Sequence, residues 1–317
     1  MKFKLLWVLP LIITAWINAY SETKSVMFWG IFNDNAKFKL DDMDKMYGKK
    51  PAIVMWYIDW HTGFPGTYCE LLNSKGYMPH IVWEAWYDGK LNSIRLADIL
   101  GGKWDDYIRN WGKAAGEYGK PLMVRWGHEM NGNWYPWSGS QNGNSPETYI
   151  KAFQYVHDAV VRAGGTNVIW LWSPNCEGVP AGGWNEAKNY YPGSGYVDWV
   201  AVDGYNWGKS QSWSKWESFD EVFSKPLDEI QTYAPGKPIM IGEFGCSSAG
   251  GNKASWIKDF FISVKSKYPM LKAWIWFDIS KETDWRFETD EESLAAFKAG
   301  ITDEIYPANA AGLAGLK

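Results

Sequence analysis

The chain has 317 residues, enough to bury one large core, with 46% hydrophobic and 21% charged residues and a net charge of −4. That balance argues against nucleic acid or an anionic membrane as the main partner, since both reward basic surfaces. The outlier is 23 Trp and 18 Tyr, which read either as a Trp-rich core or as a groove lined with flat apolar plates, as sugar rings require.

The first residues read as an address rather than structure. Lys2 and Lys4 precede an apolar run over 5–17, of signal-peptide length and too short for a comfortable membrane span. Ile17-Asn18-Ala19 or Ala19-Tyr20-Ser21 offers a small residue for cleavage. The expectation is a signal peptide over 1–21 and export, with an uncleaved anchor as the alternative. Three cysteines, Cys69, Cys176 and Cys246, are too few for a disulfide scaffold. Cys176 and Cys246 both follow predicted strands and could lie near each other.

Short runs rich in β-branched and aromatic residues recur at 26–32, 52–60, 78–86, 121–129, 167–175, 197–207, 237–245 and 271–279, bounded by Gly, Pro and Asn. Most are near-continuous apolar stretches, which suits parallel strands covered on both faces. Helix-like segments lie between them. Residues 105–118 carry Tyr107, Ile108, Trp111, Ala114 and Ala115 at helical spacing. Ser145 and Pro146 read as an N-cap and first turn ahead of Ile150, Phe153, Val156 and Val160, and Gly164-Gly165 stops that helix. Residues 217–233 and 253–268 behave similarly, while the first two connections are short. Eight strands alternating with helices predict a single-domain α/β fold, a (β/α)8 TIM barrel over 22–307. A doubly wound open sheet is the alternative, disfavoured because no Gly-rich phosphate loop follows an early strand. The Ala/Gly-rich tail over 308–317 is expected to be flexible.

In such a barrel chemistry sits where strands end. Strand four ends in Gly127-His128-Glu129, strand six in Asp203-Gly204-Tyr205-Asn206-Trp207, strand seven in Gly242-Glu243-Phe244-Gly245. A glutamate behind an apolar strand is poorly solvated unless something uses it. Two carboxylates flanking one bond are the equipment of glycoside hydrolysis, one protonating the leaving oxygen and the other attacking carbon or activating water. Structural ion pairs with Arg125 or Lys237 are the alternative. Metal chemistry finds less support. His128-Glu129 resembles the start of H-E-x-x-H, but position 132 is Gly, and His61, His80, His128 and His157 show no ligand spacing. Residues 245–249 depart from G-x-S-x-G at the last position. The expectation is an enzyme with no metal and no cofactor.

The strings "HEMNGNWYPW" and "GEFG" resemble glycoside hydrolase family 26, over roughly residues 26–307. The resemblance implies a (β/α)8 barrel with catalytic glutamates on strands four and seven, Glu129 as general acid/base and Glu243 as nucleophile, and retention of anomeric configuration. It also implies His128 near the reacting sugar, Trp134 on the leaving-group side, Tyr205 hydrogen-bonded to the nucleophile, and Trp285 and Arg286 beside the same sugar. Arg125, Asn131, Trp137 and Trp276 are further candidates for substrate binding. Arg125 could equally be a salt-bridge anchor, Asn131 a backbone turn, Trp137 loop core and Trp276 barrel filling.

Mannan-cleaving members commonly read W-F-W-W where this chain has Trp134-Tyr135-Pro136-Trp137. That form resembles the mixed-linkage β-glucanase branch. The expected function is a secreted, monomeric, retaining endo-β-1,4-glycoside hydrolase acting on β-mannan or glucomannan, with mixed-linkage β-1,3-1,4-glucan as the alternative substrate and a non-catalytic sugar-binding protein as the alternative class. Nucleic acid and, after signal cleavage, membrane are not expected partners.

Overall fold

The computed structural model describes residues 26–33 and 40–316, so the expected signal peptide lies outside the described residues. Eight parallel strands form a closed barrel in sequence order. They are β1 (Phe28–Phe32), β2 (Ile53–Asp59), β3 (Met78–Glu84), β4 (Leu122–Trp126), β5 (Val168–Trp172), β6 (Trp199–Asn206), β7 (Ile239–Cys246) and β8 (Leu271–Phe277). Closure comes from β1 pairing with β8, Phe28 opposite Ala273 through Phe32 opposite Phe277. All eight predicted strands are present, trimmed at one or both ends where the chain leaves the ladder, except that β7 runs one residue further, to Cys246.

The helices are α1 (Met43–Tyr47), α2 (Gly66–Ser74), α3 (Leu96–Leu100), α4 (Asp105–Tyr118), α5 (Pro146–Arg162), α6 (Phe219–Tyr233), α7 (Lys253–Ser266) and α8 (Glu291–Ile301). Between β5 and β6 the connection is made by two 3-10 turns, Gly183–Asn185 and Ala187–Tyr190, in place of an α-helix. Ser145 caps α5 by accepting from Thr148 N at 3.2 Å, with Pro146 in the first turn. Ser218 and Glu221 form a reciprocal capping box on α6.

Strand alternation divides the apolar residues into two layers. Val54, Trp56, Val124, Trp126, Trp170, Trp172, Trp274 and Trp276 join the shell between strands and helices. Ile53, Met55, Met123, Leu171, Ala201, Met240 and Ile275 fill the barrel. Much of the tryptophan is therefore core. The 308–317 tail differs from expectation. Leu313 is fully buried in a 3-10 turn, and Ala310, Ala314 and Leu316 pack on the interior cluster. Trp199 Nε1 donates to Leu316 O at 2.7 Å, so an alanine-rich segment too weakly apolar to register in the sequence plugs the barrel end opposite the strand C-termini. The three cysteines are all unpaired.

Candidate active site

The inward parity that fills the barrel with apolar residues turns polar at the strand C-termini. On β4, Met123 faces in, so Arg125 does too; on β6, Ala201 is followed inward by Asp203 and Tyr205. Arg125 is fully buried. Its Nη1 donates to both Asp203 oxygens at 2.8 and 2.7 Å, and its Nη2 donates to Glu243 Oε1. Ser173 Oγ donates to Asp203 Oδ1 at 2.9 Å. One guanidinium therefore stands between two buried carboxyls. Burial drives Asp203 upward in pKa while Arg125 pulls against it.

Glu243 reaches this cluster through an irregularity. Val202 on β6 pairs with Ile241, but Asp203 pairs with Glu243, and on the other side Ile241 and Phe244 pair with Trp274 and Trp276. One extra residue in β7 is a β-bulge, and it flips Glu243 from the helix-facing parity to the interior. Gly242 makes the bulge possible. A Cβ there would drive into Asp203 Oδ1 and lie 2.9 Å from Arg125 Nη1 and from Ser173 Oγ. Glu243 then accepts from Tyr57 OH and Arg125 at Oε1, and from Tyr205 OH at Oε2, 2.5 Å away.

Glu129 arrives by a different route. Strand β4 ends at Trp126, and Gly127 and Glu129 both take positive φ, 59° and 51°. For a glutamate that costs about 1–2 kcal/mol, and the surroundings hold it there. Glu129 N donates to Ser173 O at 2.7 Å, Tyr149 OH to Gly127 O at 2.9 Å, and Trp137 Nε1 to His128 O at 2.6 Å. Trp134 Nε1 donates to Glu129 Oε2 at 2.7 Å. Burial first, and the charge of Glu243 second, push the Glu129 carboxyl up to about 8. His128 is buried and held neutral, first by desolvation and then by Arg125. Its Nε2 lies 2.9 Å from Tyr135 OH.

The structure gathers Glu129, Glu243, His128, Trp134, Tyr205 and Arg125 at the barrel mouth. Other expected sugar contacts are corrected. Asn131 is buried, and its side chain is used in a two-way bridge to Asn175, Nδ2 to O and Oδ1 from N, both 2.9 Å. Trp137 is buried and stacked on Tyr135 at 4.5 Å. Trp276 has outward parity and is packed in the helix-facing shell against Phe244 and Phe287. Arg125 has no surface to offer a sugar and is an anchor. The ion pair that stood as the alternative to catalysis thus exists, and it orients Glu243. Trp285 is buried behind Tyr205, with ring centroids 4.7 Å apart. Arg286 is turned to Asp284, with Nε–Oδ1 and Nη2–Oδ2 both 2.8 Å.

Three site residues were given no role by the sequence reading, although Asp203 stood in the strand-six end. Tyr57 follows Ile53 and Met55 in inward parity on β2. Asp203 follows Ala201 on β6 in the same way. Glu84 ends β3; Trp86 Nε1 donates to its Oε2 at 3.1 Å, and burial lifts it to about 7. Extending each strand's inward register by one step would have found all three. Lys281, in the loop after β8, adds to the positive charge of Arg125 felt by Glu84 and Glu129. Beside the mouth Asp59, His61 and Asp88 bring potential ligand atoms within 4.8 Å of one another. The contact of His61 Nδ1 with Asp59 at 3.2 Å accounts for part of that grouping.

With this geometry in view, comparison with known proteins is informative. The family model described as Glycosyl hydrolase family 26 matches residues 29–285. Endoglucanase H of Acetivibrio thermocellus is 39% identical over 267 residues, which are 83% of this chain and 29% of that protein. Mannan endo-1,4-beta-mannosidase of Bacillus subtilis is 30% identical over 161 residues, 48% of this chain and 37% of that protein. The chain thus spans less than half the length of either relative. Among solved structures, a family 26 β-mannanase from Bacteroides ovatus superposes with a TM-score of 0.66 at 16% identity, covering 90% of both chains, a likeness of fold. The matched residues take in β1 through the loop after β8, and with them both strand-end glutamates, so this chain belongs to glycosyl hydrolase family 26.

Proposed function

We propose that the chain is a secreted, retaining endo-β-1,4-glycoside hydrolase with Glu129 as general acid/base and Glu243 as nucleophile. The observation that carries this is the contrast between two carboxyls in one mouth. Glu129, buried and met among the described residues by a single indole N–H, is raised to about 8, while Glu243 accepts from two phenols and a guanidinium. Glu243 attacks the anomeric carbon as Glu129 gives its proton to the departing oxygen. Esterification removes the Glu243 charge that helps hold Glu129 up. The acid then weakens its grip on protons at the step where it must take one from water. Arg125, Tyr57 and Tyr205 position the nucleophile. Export rests on the basic and apolar N-terminal residues. Among the described residues no helix is long and apolar enough to cross a membrane.

β-Mannan or glucomannan is the first substrate reading, supported by relatives and fold neighbours named as mannosidases and mannanases. Mixed-linkage β-glucan is the second, supported by the higher identity and wider coverage of the endoglucanase relative. Mannose and glucose differ in one hydroxyl direction, so a few hydrogen bonds decide between them. Reducing-sugar release from galactomannan, glucomannan and lichenan tests both readings, and NMR of the newly released anomer tests retention. No release from any of the three would leave a sugar-binding protein without turnover, and an inverted anomer would end the role given to Glu243.

A further inference from the structure

We propose that Trp213, in the loop between β6 and α6, is a stacking platform for a hexose ring of the bound polysaccharide, on the side of the chain that stays with the enzyme when the bond breaks. The inference rests on the glycoside-hydrolase reading of the same mouth. Trp213 is 70% exposed, so it adds little to the core. Its ring partner is Trp207, 5.2 Å away. Trp207 packs on Trp285 at 4.8 Å, Trp285 on Tyr205 at 4.7 Å, and Tyr205 OH donates to Glu243 at 2.5 Å. A continuous line of aromatic rings therefore runs from the nucleophile to an indole in solvent.

The loop that carries Trp213 is fastened as if its placement mattered. Asn206 Oδ1 accepts from Gly208 N at 3.1 Å and Glu217 N at 3.0 Å, tying its two ends together. Lys209 N donates to Ala249 O at 2.7 Å. Ser214 Oγ, next to Trp213, donates to Gly208 O at 2.7 Å and accepts from Gln211 N at 3.2 Å. A fixed backbone presenting a bare indole is preorganised for a flat apolar ligand. Direction follows from barrel order. Trp134 and the acid Glu129 lie beyond β4, whereas the Trp213 loop leaves β6 and its ring line runs through Trp207 to Trp285 beyond β8, across the barrel from β4. The leaving group departs on the acid's side, which leaves the Trp213 side for the retained portion.

The test is Trp213→Ala against substrate length. For glucomannan and for six-residue oligosaccharides KM should rise roughly 3–10-fold with kcat unchanged, the signature of lost uniform binding. A short aryl glycoside should show no change, and Trp213→Phe should restore most of the affinity. Equal KM on long substrates, or an equal loss on the short one, overturns the platform. Calorimetric titration of the six-residue oligosaccharide into Glu243→Ala, with and without Trp213→Ala, reads binding apart from turnover. If the wild type hydrolyses nothing but that affinity still falls 3–10-fold, the catalytic reading fails and the platform stands. If Trp213→Ala leaves the affinity unchanged, the platform fails whatever the activity.

Discussion

The ends of β4 and β7 each hold a glutamate at the same mouth, and they do so by unlike means. Beyond β4 the chain leaves the ladder through two residues of positive φ and delivers Glu129 into a dry pocket with one hydrogen-bond donor. Within β7 the ladder continues, a bulge at Gly242 re-aims the strand, and Glu243 lands among three donors, one of them a cation. Chemically identical side chains thus acquire unlike surroundings, and burial pushes the Glu129 carboxyl up to about 8. The difference lies in backbone irregularities a few residues long.

That contrast can be broken from either end. The largest effect is expected from Glu243→Ala, which should lower kcat on glucomannan roughly 10⁴- to 10⁶-fold while near-UV circular dichroism stays native. Loss of the fold along with activity would mean Glu243 serves Arg125 rather than a sugar. Glu129→Ala should cost roughly 10²–10⁴-fold on polysaccharide and far less for bond cleavage in aryl glycosides whose leaving groups need no proton. Equal damage to both substrate classes would remove the acid role.

Gly242→Ala probes the bulge itself. The added methyl presses on the Arg125–Asp203 pair, so stability should fall by about 1–3 kcal/mol, and a displaced Glu243 should lose roughly 10²-fold in kcat. Tyr205→Phe removes one donor to the Glu243 carboxyl and should lower kcat roughly 10- to 100-fold, with a smaller loss of stability, about 1 kcal/mol.

A last effect is on stability alone and depends on pH. Glu129 is raised from 4.5 to about 8, so between those values the folded chain holds a proton that the unfolded chain has released. Stability therefore falls as pH rises through that window, and the loss is complete above about 8. Glu129→Gln cannot ionise. Its melting temperature relative to wild type should climb from pH 4.5 to a plateau above pH 8, by about 1–2 °C for each kcal/mol regained. A difference that stays flat across the window would place the charged form of Glu129 in water. Activity should decline on the alkaline side through the same pKa.

The strand count was legible because parallel strands buried on both faces leave long apolar runs, and the two glutamates were legible because each breaks such a run. Which way a side chain points was harder. Trp276 stood open between sugar contact and barrel filling and is neither, because an indole near a strand end suits either layer, and its alternation with Ile275 and Phe277 points it toward the helices. Tyr57 and Arg125 lie 186 and 118 residues from the Glu243 oxygen they share, so no local pattern announces their meeting. The bulge at Gly242 has no sequence mark beyond a glycine, and without it alternation from Met240 would have sent Glu243 toward the helices.

The docked tail has a consequence for how the molecule comes into being. The cylinder closes only when β8 meets β1, and its floor is stoppered only once Leu313 and Leu316 are in place. On the ribosome, a nascent chain that stops short of β8 carries an open stave edge, and one that stops short of Leu313 leaves the floor unstoppered, so completion of the native state must wait for synthesis to pass residue 316.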